Sequence, residues 1–218
     1  MTCIVVTTAA RLPSHRGDSE NLKLIVYARV PELGKVKTRL AAQMGDVAAL
    51  AAYRSMLLNV LDRMSRLDDI DKELCVTGAD TAGECSRLAS EFGFSLAVQG
   101  QGDLGQRMHA TFRQALSSHS RVLLVGSDCP LLDESRIRWA LTALEQHDAV
   151  FVPVEDGGYS LVGLRRLIPE LFAGIAWSTD SVMQESRSKL RDLGASWLES
   201  EVLWDVDEPE DWERWRRL

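Results

Sequence analysis

"LKLIVYARVPELGKVKTRL", Leu22–Leu40, decides how this chain is read. Its first residues, "LKLIVYA", form a short apolar run rich in β-branched side chains, the pattern of a buried first strand. A loop with Pro31 and Gly34 follows, and then Lys35, Lys37 and Arg39 fall within five positions. An alanine-rich helical pattern comes next. A Walker A loop, GxxxxGK[ST], would need an earlier glycine, so a P-loop is a weak reading. What remains is one glycine that lets backbone approach a ligand, flanked by three cations. Three charge-assisted hydrogen bonds of roughly 1.5–3 kcal/mol each would hold a polyphosphate with millimolar to micromolar affinity. Arg39 suits a bidentate phosphate contact and Lys37 a point charge. Two carboxylates would use the same cations equally well, and a solvated basic loop is the plain alternative.

Outward from this stretch, short β-like runs alternate with helical patterns. Leu50, Tyr53, Leu57, Leu61 and Met64 recur at three- and four-residue steps, one face of a helix. "KELCVTG", "FSLAVQ" and "RVLLVGSDCP" read as strands, and "TAGECSRLASEFG" as a helix closed by Gly93. Asp133 is a fitting N-cap for "ESRIRWALTALEQ". "DAVFVPVEDGGYSLVGL" reads as two strands about a turn, "ASWLESEVLWDVD" as extended, and the chain closes in a helix with Pro209 in its first turn. Trp212 and Trp215 on that helix are expected to pack on the sheet. The alternation predicts a three-layer α/β/α Rossmann-like sandwich with a mostly parallel mixed sheet. Residues 22–218 are read as one domain and 1–21 as a loose extension. In such sheets ligands sit beyond the carboxyl ends of the strands, where strand order reverses, so residues just after strands carry the argument.

Composition sets bounds. The 218 residues carry a formal charge of −7, with an isoelectric point near 5.2. That balance argues against sequence-independent binding to nucleic acid and against a polybasic membrane contact. Cys3, Cys75, Cys85 and Cys129 are scattered, without CxxC or His-x-x-x-His spacing. They read as reduced thiols of a cytoplasmic protein rather than a zinc site. No apolar run is long enough to span a bilayer, and the start lacks a secretory pattern.

Five further segments carry candidate chemistry. In "VGSDCP", Asp128 directly follows the most apolar strand: a metal-bridging carboxylate, or a turn cap ahead of Pro130. In "LWDVDEPED", Asp205 and Asp207 alternate and so face one side of an extended segment. Carboxylates gathered near Asp128 would repel by about 4 kcal/mol per pair at 4 Å and an effective dielectric near 20, unless a divalent cation sits between them. Hard oxygen ligands beside phosphate point to Mg²⁺ or Mn²⁺; helix capping by Asp207 or Glu208 ahead of Pro209 is the plain reading. In "VEDGGYSLVG", Asp156, Gly157 and Gly158 form either a hairpin turn or a ligand-contacting backbone, with Tyr159 lining the pocket. In "QGQGDLGQRM", Gly102, Asp103, Gly105 and Arg107 surround a helix start suited to a base or phosphate. Trp177, in "IAWSTD", is a candidate border of the acceptor site.

Taken in order, "VPELGKVKTRL", "GDLGQRM", "GSDCPLL", "EDGGYSLVGL", "IAWSTDSV" and "WDVDEPEDW" resemble the radical-SAM/selenodomain-associated transferases, a glycosyltransferase-A-like family. The resemblance runs from about Leu24 to Trp212. That family is similar to the molybdenum-cofactor and phospholactate nucleotidyltransferases and to sugar transferases. It implies a nucleotide-diphospho-sugar transferase type of fold that binds a nucleotide with a divalent metal. Lys35, Lys37 and Arg39 match the loop that meets phosphates, Asp128 and Asp207 the metal carboxylates, and Gly102–Arg107 the place of base recognition. Two positions depart from the family pattern. Glu208 replaces the usual Thr, giving up a hydroxyl cap worth about 1 kcal/mol. Ser160 replaces an aromatic.

The expected function is a metal-dependent transferase acting on an NTP or NDP-sugar and an unidentified acceptor. The residues lean to nucleotidyl transfer onto a phosphorylated or anionic acceptor, which needs no general base. Sugar transfer is the alternative, and a non-catalytic nucleotide-binding module the third.

Overall fold

The computed structural model describes residues 21–218; the extension expected at the start lies outside them, apart from Asn21. Strand β1 (Leu22–Arg29) leads through α1 (Thr38–Met44) and α2 (Asp46–Ser65) to β2 (Asp71–Thr77). Then come α3 (Glu84–Phe92), β3 (Ser95–Val98), α4 (Leu104–Ala115), β4 (Arg121–Val125), α5 (Glu134–Ala143), β5 (Ala149–Pro153) and β6 (Tyr159–Leu164). A 3₁₀ turn (Pro169–Phe172), α6 (Val182–Asp192), β7 (Trp197–Glu199) and α7 (Pro209–Trp215) complete the chain. No helix among the described residues is long and apolar enough to cross a membrane.

The seven strands run in the order β3-β2-β1-β4-β6-β5-β7. β1 pairs in parallel with both β2 and β4, whereas β6 lies antiparallel between β4 and β5. The period-two alternation of β1 explains the layers. Leu24, Val26 and Ala28 face a core shared with α2, α3 and α5. Ile25 and Tyr27 face the opposite core, filled by Met108 and Phe112 of α4 and by Met183 and Leu190 of α6. Both faces are therefore covered, as the apolar strand runs require.

A third, smaller cluster joins Val36, Leu40, Ala49 and Tyr53 to Trp204 and Val206. Trp212 and Trp215 pack here, edge to face with centroids 5.0 Å apart, and not on the sheet as expected. The cause is the path of the last segment. Leu203 makes a lone parallel bridge with Val154, and α7 then crosses onto α1. The expected extended run 195–207 pairs as a strand only over Trp197–Glu199. Glu208 does not leave its helix uncapped, because the Asp211 carboxylate accepts from the Asp207 and Glu208 N–H groups.

β1 and β4 are neighbours whose exits diverge: the chain leaves β1 toward β2 and arrives at β4 from β3 on the far edge. That reversal opens a crevice at their carboxyl ends.

Candidate functional site

The crevice has two adjoining compartments. The first, about 470 Å³, is lined by Arg29, Lys35, Lys37, Arg39, Arg107, Asp128 and Asp207, among others. The second, about 290 Å³, shares Asp128 and Leu104 with it and is lined by Asp156, Gly158, Tyr159, Trp177 and Asp205.

The loop after β1 supplies the cations. Gly34 turns it with φ +74°, and Lys37 stands at the start of α1 in the left-handed region, φ 46° and ψ 52°. Such a conformation costs a non-glycine residue about 1–3 kcal/mol. Its side chain shows what offsets that cost. The Lys37 ammonium is 9 % exposed and donates to Asp128 Oδ2 at 2.8 Å and Asp207 Oδ1 at 2.7 Å. Burial alone would lower its pKa, but the two carboxylates overcome that and hold it above the ordinary lysine value. Arg39 is mostly exposed and approaches Asp207 Oδ2 at 3.4 Å. Lys35 points outward and pairs with Glu32 at 2.9 Å.

Asp128 comes from the turn after β4, a strand buried at every position. The late segment is drawn to it by one backbone bond, Val206 N–H to the Asp128 carbonyl at 3.0 Å. With Trp204 and Val206 buried, the alternation turns Asp205 and Asp207 to the crevice, as their spacing predicted. Asp207 lines the first compartment and Asp205 the second. One carboxylate oxygen from each of Asp128, Asp205 and Asp207 lies within 4.8 Å of the others. Oxygens on opposite sides of a Mg²⁺ ion stand about 4.2 Å apart, so three hard donors in this space fit such an ion after a small closure. Burial pushes the Asp205 carboxyl up to about 7, and Asp128, Asp156 and Asp207 add to the effect. That is the cost of gathering carboxylates with Lys37 as the one ammonium bonded to two of them.

Residues not singled out from sequence shape the first compartment. Gln99 is buried; its amide donates to the Ala28 and Cys75 carbonyls at 3.2 and 3.0 Å, and its oxygen accepts from Arg107 at 2.8 Å. It ties β1, β2 and α4 together and aims Arg107 at the cleft. The Tyr53 hydroxyl exchanges bonds with the Arg29 backbone at 2.7 and 2.9 Å, fixing the exit of β1, and burial pushes its pKa up to about 12. A signal existed for Gln99, which opens the glycine-rich run. Tyr53 reads only as a helix-face residue.

Several expected site residues hold loops instead of lining the crevice. Asp103 caps α4 by accepting from Gln106 N–H at 2.8 Å, while the Gln106 side chain accepts from Asp103 N–H at 3.0 Å. A Cβ at Gly102 would run into that Gln106 side chain, and one at Gly105 into the Phe172 carbonyl and the Trp177 indole. A Cβ at Gly157 would strike the Asp180 backbone. Cys75, Cys85 and Cys129 are buried free thiols. Burial pushes Cys75 and Cys85 up to about 12 and Cys129 in the same direction, so none is an activated nucleophile.

Known proteins share this fold. The pattern of a family described as "Uncharacterized protein conserved in bacteria (DUF2064)" matches residues 60–179. The chain belongs to this family. The DUF2064 match takes in Asp128, Asp156–Tyr159 and Trp177; the basic loop and Asp207 lie outside it. A solved structure from Desulfovibrio desulfuricans G20, provisionally described as a nucleotide-diphospho-sugar transferase, is 31% identical with a TM-score of 0.80. The alignment covers 87% of this chain and 83% of that one. 4-Diphosphocytidyl-2C-methyl-D-erythritol synthase from Anaerococcus prevotii DSM 20548 is similar in fold at 14% identity and TM-score 0.60, over 92% of this chain and 98% of its own. A CMP:2-keto-3-deoxy-manno-octonic acid synthetase complexed with CTP aligns at 10% identity and TM-score 0.58, over 91% and 98%. No curated protein matches the chain. The fold of this DUF2064 member is thus that of the nucleotide-diphospho-sugar transferases and cytidylyltransferases.

Proposed function

We propose that the protein is a divalent-metal-assisted transferase acting on a nucleotide-activated substrate. The observation that carries this reading is the meeting of Lys37, Asp128 and Asp207, from three distant segments, beyond the carboxyl ends of β1 and β4. An ion held by Asp128 and Asp207, with Asp205 beside them, would offset negative charge on phosphate oxygens. Lys37 and Arg39 neutralise the charge that grows on the departing diphosphate or pyrophosphate. Arg39 is suited to this, since its exposed pairing to Asp207 is weak and easily exchanged. Lys35 extends the same cationic edge. Arg107, oriented by Gln99, lines the same compartment and is suited to contact with the nucleoside.

Nucleotidyl transfer from an NTP fits the five basic side chains of the first compartment. The cytidylyltransferase-like fold of the neighbours supports it. Sugar transfer from an NDP-sugar is the second reading, favoured by the acidic and aromatic second compartment and by the description of the 31% identical relative. Incubation with Mg²⁺ and separate pools of NTPs and NDP-sugars tests both. Pyrophosphate released from an NTP in the presence of an acceptor supports the first, and free NDP from a sugar donor the second. Binding of neither pool would overturn the proposal.

A further inference from the structure

Phosphate and carboxylate compete for the Lys37 ammonium. Its place on a departing diphosphate and its place between Asp128 and Asp207 exclude each other. The structure holds it on the carboxylates, 2.8 Å from Asp128 Oδ2 and 2.7 Å from Asp207 Oδ1. A Mg²⁺ ion bound to the same two oxygens would stand about 2.1 Å from each. Ammonium and ion would then lie side by side, and like charges that close repel. One of them has to leave.

The frame around them does not part. Val36 and Leu40, on either side of Lys37, are buried in one cluster with Trp204 and Val206 of the segment that carries Asp207. Val206 N–H also donates to the Asp128 carbonyl at 3.0 Å. The carboxylates therefore stay gathered, and the exchange falls to the lysine side chain, a compact charge on a flexible stem. Arg39 is no substitute: it is mostly exposed and reaches Asp207 at 3.4 Å without an ion pair to Asp128.

The lining decides when Lys37 can leave. Arg29, Lys35, Arg39 and Arg107 share the first compartment with it, and among the described residues Asp128 and Asp207 are the only carboxylates there. Asp205, beside them, belongs to the same set of ion donors. An ammonium pushed off by an ion alone thus meets other cations and no free carboxylate. A phosphate chain lying in the compartment supplies the missing anion, through charge-assisted hydrogen bonds.

We infer that Lys37 couples the ion to the nucleotide: its ammonium keeps the ion's place between Asp128 and Asp207 and yields it to an ion that arrives with phosphate. The inference rests on the reading that the basic compartment holds a nucleotide. Such coupling is reciprocal, so the factor by which nucleotide tightens the ion is the factor by which the ion tightens nucleotide.

Mn²⁺ alone, followed by electron paramagnetic resonance, tests the exchange in the natural full chain, in Lys37→Met and in Arg39→Met, each checked for native circular dichroism. Lys37→Met should bind Mn²⁺ about tenfold or more tightly than the natural chain, and Arg39→Met within about threefold of it. No gain in Lys37→Met would overturn the inference. An equal gain in Arg39→Met would do the same, since loss of any nearby positive charge would then suffice. A second measurement needs no variant. Acylation of Lys37 by an N-hydroxysuccinimide ester, mapped by mass spectrometry on the natural chain, should rise about threefold or more once Mn²⁺ is bound. It should fall again when a mixture of ATP, GTP, CTP and UTP is added. Bound Mn²⁺ with Lys37 labelling unchanged would also overturn the inference. If Mn²⁺ exposes Lys37 and no nucleotide protects it, the nucleotide reading fails while the exchange of ion for ammonium stands.

Discussion

The Lys37 ammonium lies between Asp128 and Asp207, 2.8 Å from one carboxylate and 2.7 Å from the other. It stands where a cation is needed to hold together two segments far apart in sequence. Lys37→Ala removes that charge and leaves the carboxylates facing one another. Loss of one partner of a fully buried pair costs about 3–5 kcal/mol. Asp128 and Asp207 are 33 % and 34 % exposed, which lowers the expected loss to roughly 1–3 kcal/mol after solvent screening. Mg²⁺ should recover part of it, so the variant's melting temperature should rise with Mg²⁺ more than that of the natural chain. Equal Mg²⁺ responses would contradict this.

Gln99 is the joint between the sheet and Arg107. Gln99→Leu leaves the Ala28 and Cys75 carbonyls without their side-chain donor and Arg107 without its positioning acceptor. A stability loss of about 1–3 kcal/mol is expected in urea unfolding. Nucleotide affinity should fall together with any preference among bases, measured by thermal shift across ATP, GTP, CTP and UTP. A loss of stability with the base preference intact would separate Gln99 from recognition.

Asp148 sets an acid limit on stability far from the crevice. It accepts from Arg166 at 2.8 Å and from Ser196 N–H at 3.0 Å. Arg166, and after it Ser196 and Arg165, hold its carboxyl well below the usual range, although burial pushes the other way. A depressed carboxyl contributes stability that is complete above the unfolded value, near 3.9, and is lost as pH falls from there through the folded value. Asp148→Asn should therefore lower the melting temperature at pH 7, and the difference should shrink below about pH 4. A gap that stays constant down to pH 2 would count against this assignment.

Gly157 at φ +86° fits against the Asp180 backbone. Gly157→Ala forces both a strained conformation and a displaced loop, at about 1–3 kcal/mol for the backbone alone. Because Trp177 belongs to that loop, its fluorescence should shift while the far-ultraviolet circular dichroism stays native. An unaltered emission spectrum would show that the loop is not braced there.

The layers were legible because local pattern and tertiary environment agree. "LKLIVYA" is apolar on both faces because both faces of β1 are covered, and Asp133 caps its helix by accepting from Arg136 N–H at 3.0 Å. Asp128, Asp205 and Asp207 could be named because each follows directly from strand alternation or a strand end. What the sequence hid depends on contacts between distant segments. The destination of Trp212 and Trp215 follows from the path after Leu203, which no local periodicity encodes. Gln99 opens the glycine-rich run, but its bracing role depends on the Ala28 and Cys75 carbonyls, which only the folded sheet brings to it. Asp103 and Gly102 looked like ligand-facing residues because a helix cap and an anion site draw on the same residue types.

The proposed function requires Asp128 and Asp207 to share a cation brought with a nucleotide. Mn²⁺ binding followed by electron paramagnetic resonance, with and without NTP, measures this directly in the natural chain and in Asp128→Ala and Asp207→Ala. Nucleotide-dependent uptake of Mn²⁺ is predicted for the natural chain, weakened at least tenfold in each variant. Undiminished uptake in natively folded variants, or none in the natural chain with any NTP, would contradict it.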